Sequence, residues 1–171
     1  LSAAQFANSA LLPYLMELIE LHKVDARNIE LELTETMLVA DIERAVEVIQ
    51  QIRALGCKIA VDDFGTGYSS LSYLKTIPSD IIKIDRSFIN GMMETDSDRN
   101  IVDSTISMVR NMGQQVIAEG IETGDQLNQL RNMQCQYGQG YFISKPIEQH
   151  VLWQVLKSQV VNGRWVLLQT N

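Results

Sequence analysis

Residues 58–63 read Lys-Ile-Ala-Val-Asp-Asp, a short apolar run that ends in two adjacent carboxylates. Four other short runs share its apolar character, at residues 29–34, 81–85 and 115–119 and, more weakly, at 135–137. Near-continuous apolar runs of this length are typical of parallel strands that are covered on both faces. We therefore predict five parallel strands.

Helical patterns separate these runs. The signals are the capping-box pairs Ser2/Gln5 and Thr123/Gln126, apolar stripes from Asp41 to Gly56 and from Asp96 or Ser97 to Gly113, and a last stripe of Val151, Leu152, Val155 and Leu156. Strands alternating with helices indicate an α/β fold with one parallel sheet. The pattern alone leaves a doubly wound sheet and a TIM barrel open, and five strands make up about two thirds of such a barrel.

Charged or amide side chains stand at the end of nearly every predicted strand. In chain order they are Glu32 and Glu35, Asp62 and Asp63, Lys83 and Asp85, Glu119 and Glu122, and Gln139. The carboxyl ends of parallel strands meet at one edge of the sheet, where α/β active sites are assembled. The sequence therefore predicts a cluster of carboxylates around Lys83.

Converging carboxylates repel one another unless a cation lies between them. Mg²⁺ and Mn²⁺ prefer such oxygen ligands, and a two-ion site would hold a phosphodiester and activate a water. Lys83 would then act as a point charge on a phosphate oxygen or on the nucleophile. Taken singly, Asp62 and Asp63 could instead cap a helix, and Glu35 could be a first-turn charge. Because charged residues recur at the same end of four strands, we favour a shared functional site over separate structural roles.

Composition limits the possible partners. With a formal net charge of −7 and 46% hydrophobic residues, the chain can form a core, but its charge disfavours a nucleic-acid polymer or an anionic membrane as a partner. No apolar run approaches the ~20 residues of a membrane segment. Cys57 and Cys135 form no CxxC pair, which argues against a zinc site and favours a reducing cytoplasm.

The glycines of Gly65-Thr66-Gly67 permit tight backbone turns, so this loop could hold a phosphate, act as a hinge or simply connect a strand to a helix.

Together these segments resemble the EAL family of bacterial cyclic di-GMP phosphodiesterases. The matching stretches are ELTE at 32–35, DDFGTGYSS at 62–70, IKID at 82–85, AEGIE at 118–122 and QGY at 139–141, while residues 1–6 resemble the end of the family's NLS segment. Order and spacing agree throughout, so the resemblance covers essentially the whole chain.

The resemblance implies a modified TIM barrel with one antiparallel strand, binding two Mg²⁺ or Mn²⁺ ions and hydrolysing cyclic di-GMP to linear pGpG. It implies metal ligation by Glu32, Asp62, Asp63 and Glu119, catalytic roles for Glu119, Lys83, Asp85 and Gln139, a place near the substrate for Glu122, and a homodimer through a loop that contains Gly65, Thr66 and Gly67 and is anchored by Glu35.

The family's Glu-Ala-Leu motif, the Asn of its NLS segment and its first strands would all precede Leu1. We therefore interpret residues 1–171 as an N-terminally truncated EAL domain, an incomplete barrel of about five parallel strands. We expect an incomplete two-metal site and an inactive chain. The parent would be a cytoplasmic or membrane-anchored phosphodiesterase with an upstream GGDEF or sensory domain.

Two other functions remain open at this stage. The chain could be a receptor or scaffold that binds cyclic di-GMP without cutting it. Alternatively, the same residues could serve a Mg²⁺-dependent enolising enzyme with Lys83 as the base. Adjacent Asp62 and Asp63 favour a two-metal site over the second alternative.

Overall fold

One parallel sheet organises the protein. The computed structural model describes residues 1–66, 74–158, 160–161 and 164–165, without the side chains of Val39 and of residues from 156 onward. The sheet has the order β1-β2-β3-β4-β5, formed by Glu30–Thr34, Lys58–Phe64, Ile81–Ile84, Gln115–Ala118 and Tyr137–Gly138. The prediction of five parallel strands is thus confirmed. The described sheet is open, with β1 and β5 at its edges.

Helices connect the strands. Those described are α1 Ala3–Phe6, α2 Leu11–His22, α3 Glu35–Ala40, α4 Ile42–Ala54, α5 Arg86–Gly91, α6 Asp96–Asn111, α7 Gly124–Asn132 and α8 Gln149–Ser158. A 3₁₀ turn spans Ala26–Asn28, and an antiparallel pair, β6 Val160–Val161 with β7 Arg164–Trp165, follows α8. Within the described ranges, no helix combines the length and the apolar character needed to cross a membrane.

Local signals at the helix ends are largely confirmed. Both capping boxes form, and the Asp41 side chain accepts a hydrogen bond from the Arg44 amide at the start of α4. Gly56 follows α4 with a φ of 100°, a conformation that glycine adopts without steric cost.

Two boundaries differ from the prediction. The cap of α6 is Thr95, whose hydroxyl accepts from the Asp98 amide, and Asp96 is already helical. The fifth strand is Tyr137–Gly138 because the Cys135 amide still donates to Leu130, in the turn that ends α7.

The two faces of the sheet differ in character. On one face, fully buried apolar side chains such as Leu33, Val61 and Ile82 belong to the same core as the inward stripes of α4 and α6. The opposite face carries the polar residues. Glu32 pairs in register with Ala60, and its alternation with Leu33 places it on this second face.

Candidate functional site

Lys83, on the central strand β3, is the centre of a polar cluster at the carboxyl ends of the strands. Its side chain is only 5% exposed, and its ammonium nitrogen Nζ lies 2.7 Å from Glu32 Oε1, 3.0 Å from Asp62 Oδ1 and 2.9 Å from Glu119 Oε1. These carboxylates come from β1, β2 and the end of β4, so parallel strands bring together residues that are far apart in the chain. The predicted cluster around Lys83 therefore forms.

Burial alone lowers the pKa of the Lys83 ammonium, but hydrogen bonds to the three carboxylates outweigh it and raise that pKa above its usual value. Lys83 is accordingly held in its charged form by the three carboxylates.

Asp62 and Asp63 both reach the cluster although they are neighbours in the sequence. Successive strand residues ordinarily point to opposite faces. Here the pairing of β2 with β3 is irregular between Val61 and Phe64, and Asp63 adopts a φ of 53°. The Asp63 amide donates to Asp62 Oδ1 at 3.1 Å, which fixes this turn. A local break in the strand thus places two carboxylates on one side.

Three of the predicted metal ligands form a compact donor set. One carboxylate oxygen from each of Asp62, Asp63 and Glu119 lies within 4.8 Å of the others. Glu32 is not in this set and joins the group through Lys83. We call these four residues the carboxylate cluster.

The carboxylate cluster has an excess of negative charge. Burial, followed by the charge of Asp62, raises the pKa of Asp63. Burial also raises the pKa of Glu119, although its hydrogen bond with Lys83 opposes the effect. Four carboxylates facing one ammonium would be stabilised by a further cation, and their oxygen donors fit a hard divalent ion.

Glu35 contacts Gly65, the first residue after β2. Its side chain is buried, and Glu35 Oε2 accepts a hydrogen bond from the Gly65 amide at 2.9 Å. Its second oxygen, Oε1, is buried without a hydrogen-bond partner among the described residues. The Thr66 hydroxyl and amide both donate to the Asp63 carbonyl. Gly67 lies outside the described residues.

Asp85 caps helix α5. Its carboxylate accepts hydrogen bonds from the amide and the hydroxyl of Ser87. Burial opposes ionisation, but the bonds from Ser87 and Arg86 lower the pKa of Asp85 overall. Its charge nevertheless contributes to the raised pKa of Asp63, so it belongs to the same electrostatic environment. The capping role was missed, although Asp is itself a preferred residue at a helix N-cap.

A pocket of about 570 Å³ adjoins the carboxylate cluster. Its lining includes Glu119, Glu122, Gln139, Arg86, Tyr141 and Lys145. Arg86 Nη1 lies 3.6 Å from Glu122 Oε1, and Lys145 Nζ lies 5.7 Å from the centre of the Tyr141 ring. The structure therefore places the predicted Glu122 and Gln139 beside Glu119. It adds Arg86 and Lys145, two cations that the sequence did not single out.

The comparisons with known proteins agree on one family. The family model described as "EAL domain" matches residues 1–146. Cyclic di-GMP phosphodiesterase NbdA of Pseudomonas aeruginosa is 36% identical over 156 residues, which cover 91% of this chain and 20% of NbdA. The chain thus spans about a fifth of the length of this curated relative.

Solved structures show the same fold. The P. aeruginosa MucR phosphodiesterase in complex with cyclic di-GMP has a TM-score of 0.85 at 36% identity, over 89% of this chain and 62% of that one. The EAL domain of Mycobacterium smegmatis DcpA has a TM-score of 0.87 at 33% identity, over 94% and 72% respectively.

Proposed function

The chain belongs to the EAL domain family, and from this premise we propose that it forms part of a metal-dependent phosphodiesterase that hydrolyses cyclic di-GMP to linear pGpG. The observation that carries the proposal is the convergence of Asp62, Asp63 and Glu119 around Lys83, beside a pocket. Similar proteins support the substrate, since NbdA is named a cyclic di-GMP phosphodiesterase and MucR was solved with cyclic di-GMP.

The proposed reaction adds one water across one phosphodiester bond. The water oxygen bonds to phosphorus, the bond from phosphorus to a ribose oxygen breaks, and that oxygen takes up a proton. Glu119 would accept the proton of the water, since its carboxylate lies beside both Lys83 and the other proposed metal ligands. Lys83 would hold Glu119 and the water in place. Gln139 would orient the substrate in the pocket. The negative charge of Asp85 would contribute to the electrostatic field at Asp63.

The proposed cofactor is Mg²⁺ or Mn²⁺ in a two-metal site held by Asp62, Asp63 and Glu119 with Glu32. Such ions polarise the phosphate and lower the pKa of a bound water. The donor set supports a hard cation because it contains only carboxylate oxygens. Added Mn²⁺ should raise the melting temperature, and Asp63→Asn should reduce that increase, whereas Asp103→Asn on the exposed face of α6 should not. Equal increases in all three proteins would contradict the assignment.

The proposal extends to assembly and context. Gly65, Thr66 and Gly67 would belong to a loop, anchored by Glu35, through which two copies associate, and the hydrogen bond from Gly65 to Glu35 supports the anchoring part of this assignment. An upstream GGDEF or sensory domain is consistent with MucR, which is named a bifunctional diguanylate cyclase and phosphodiesterase. Free Cys57 and Cys135 support a reducing cytoplasm.

Hydrolysis of cyclic di-GMP by the whole protein to which this sequence belongs tests the proposal. With Mg²⁺ or Mn²⁺ we expect pGpG as product, and Glu119→Ala should abolish turnover while Asp103→Ala should retain it. Calorimetry with Ca²⁺ separates binding from cleavage. Tight binding without any pGpG would identify a receptor and overturn the enzymatic assignment, and undiminished turnover by Glu119→Ala would remove Glu119 from it.

A further inference from the structure

Gln126 joins two segments beside the pocket through a buried side-chain amide. It is 5% exposed, and its carbonyl oxygen Oε1 accepts hydrogen bonds from the amides of Glu122 at 2.7 Å and Thr123 at 3.0 Å. Its nitrogen Nε2 donates to Asn90 Oδ1 at 3.0 Å and to the Ile89 carbonyl at 3.5 Å. The bond from Thr123 belongs to the capping box of α7, and the bond from Glu122 holds the residue before it. The second pair reaches helix α5.

The same two segments meet again at the rim of the pocket, where Arg86 at the start of α5 faces Glu122. This ion pair is exposed, at 64% and 45% of the two side chains, and its atoms are 3.6 Å apart. Exposed pairs of this kind contribute little and do not hold long side chains in one place. The relative position of the two segments must therefore be fixed by other contacts.

Close packing supplies one such contact. Gly120 has a φ of 71°, and the aliphatic stem of Arg86 occupies the space that a side chain on Gly120 would need. This contact sets how closely Arg86 approaches the residues after β4. It does not determine the distance between the far end of α5 and α7, which the bonds of Gln126 span.

We infer that Gln126 is a positioning residue, which fixes α5 against the segment after β4 and thereby sets the spacing of Arg86 and Glu122 at the pocket rim. The inference rests on the proposed function, because it assigns the rim to substrate binding. It predicts an effect on the affinity for a cyclic dinucleotide rather than on the chemical step.

Asn90 offers a matched pair of variants that leave the capping box of α7 intact. Asn90→Ala removes the side-chain acceptor for Gln126 Nε2 and leaves only the longer bond to the Ile89 carbonyl. It also raises helix propensity, so loss of α5 is not expected. Asn90→Asp keeps an acceptor oxygen in the same place. Asn128→Ala, on the exposed face of α7, serves as the unrelated control.

We expect Asn90→Ala to raise the KM for cyclic di-GMP about 3- to 10-fold, the effect of one lost hydrogen bond, with kcat within about twofold. Asn90→Asp and Asn128→Ala should keep the KM of the unsubstituted protein. Hydrolysis of bis(p-nitrophenyl) phosphate, which is too small to reach the rim, should be the same in all variants. An unchanged KM in Asn90→Ala, or equal losses on both substrates, would overturn the inference.

A readout independent of turnover separates this inference from the proposed function. If the whole protein fails to hydrolyse cyclic di-GMP, the proposed function fails, and amide hydrogen exchange then decides the positioning role. Protection of the Glu122 amide should be lower in Asn90→Ala than in Asn90→Asp. Equal protection in the two variants would show that Gln126 acts only as part of the cap.

Discussion

The ammonium of Lys83 on β3 lies 2.9 Å from the carboxylate of Glu119, which follows β4. Glu119 is also one of three carboxylates with oxygens within 4.8 Å of one another. A buried lysine and a candidate metal site therefore share the same acidic side chain. A divalent cation and Lys83 would compensate the same excess of negative charge, and this links stability to metal binding.

Lys83→Met should destabilise the metal-free protein by about 3 kcal/mol, since removing one partner of a buried ion pair leaves the carboxylates uncompensated. The expected loss lies at the low end of the usual range because Glu32 is 47% exposed. Urea unfolding in EDTA measures it. Lys58→Met is the matched control, because Lys58 lies exposed on the neighbouring strand β2.

The same variant tests the shared role of the cation. Added Mg²⁺ should restore more stability to Lys83→Met than to the unsubstituted protein, since the ion then replaces the positive charge that Lys83 supplied. Equal stabilisation of the two proteins would show that metal and lysine act independently.

Above pH 4.5, the stability of the metal-free protein should increase as the pH falls, which is the opposite of the usual effect of paired carboxylates. Burial raises the pKa of Glu119 above its reference of 4.5, so the folded state holds this proton at a pH where the unfolded state has lost it. Its contribution therefore increases as pH falls towards 4.5. The pKa values of Asp63 and Glu30 are raised mainly by burial and act in the same direction.

Groups with lowered pKa values do not cancel this trend. Asp85 and Asp25 contribute fully above their unfolded reference of 3.8, and they lose stability only at lower pH. In EDTA, the free energy of unfolding should rise more from pH 7 to pH 5 in the unsubstituted protein than in Glu119→Gln. Identical slopes would mean that Glu119 ionises as it does in the unfolded chain.

The sequence predicted the strands and their charged ends because both depend on local pattern. Apolar runs identified β1 to β4 within about one residue at each end, and parallel pairing then requires their carboxyl ends to meet. Recurrence of acidic residues at those ends was sufficient to predict the cluster around Lys83. Adjacent Asp62 and Asp63 then favoured a two-metal site over the enolising alternative, and the family resemblance indicated a phosphodiesterase.

The remaining features depend on contacts between distant segments. Alternation along β2 would place Asp63 opposite Asp62, and only the left-handed φ of Asp63 overrides it. Gln126 was identified as part of a capping box, but its bond to Asn90 joins residues 36 positions apart. Arg86 and Lys145 carry no motif of their own and become notable only as lining of the pocket.

Alanine substitutions at Gly65, which follows β2, and at Gly113, which follows α6, should separate the cost of a left-handed backbone from the cost of a steric clash. Gly65 and Gly113 have φ values of 100° and 79°, but a Cβ on Gly65 would lie 2.6 Å from the Phe88 ring, whereas one on Gly113 meets nothing within 4 Å. Gly113→Ala should cost about 1 kcal/mol for its left-handed conformation. Gly65→Ala should cost more, and it should also weaken metal binding because the neighbouring Thr66 donates hydrogen bonds to the carbonyl of Asp63. If both variants lost the same thermal stability, the Phe88 ring would not add a steric cost to Gly65→Ala.

Lys145 should contribute to substrate affinity without taking part in the chemical step. It lines the same pocket as Glu119 and Gln139, and its ammonium lies over the Tyr141 ring, which leaves a positive charge available to a phosphate. Lys145→Ala should raise the KM for cyclic di-GMP about 3- to 10-fold with little change in kcat. Lys23→Ala, a lysine just after α2, should change neither constant. A proportional fall in kcat for Lys145→Ala would instead assign Lys145 to the transition state, and an unchanged KM would place the substrate elsewhere in the pocket.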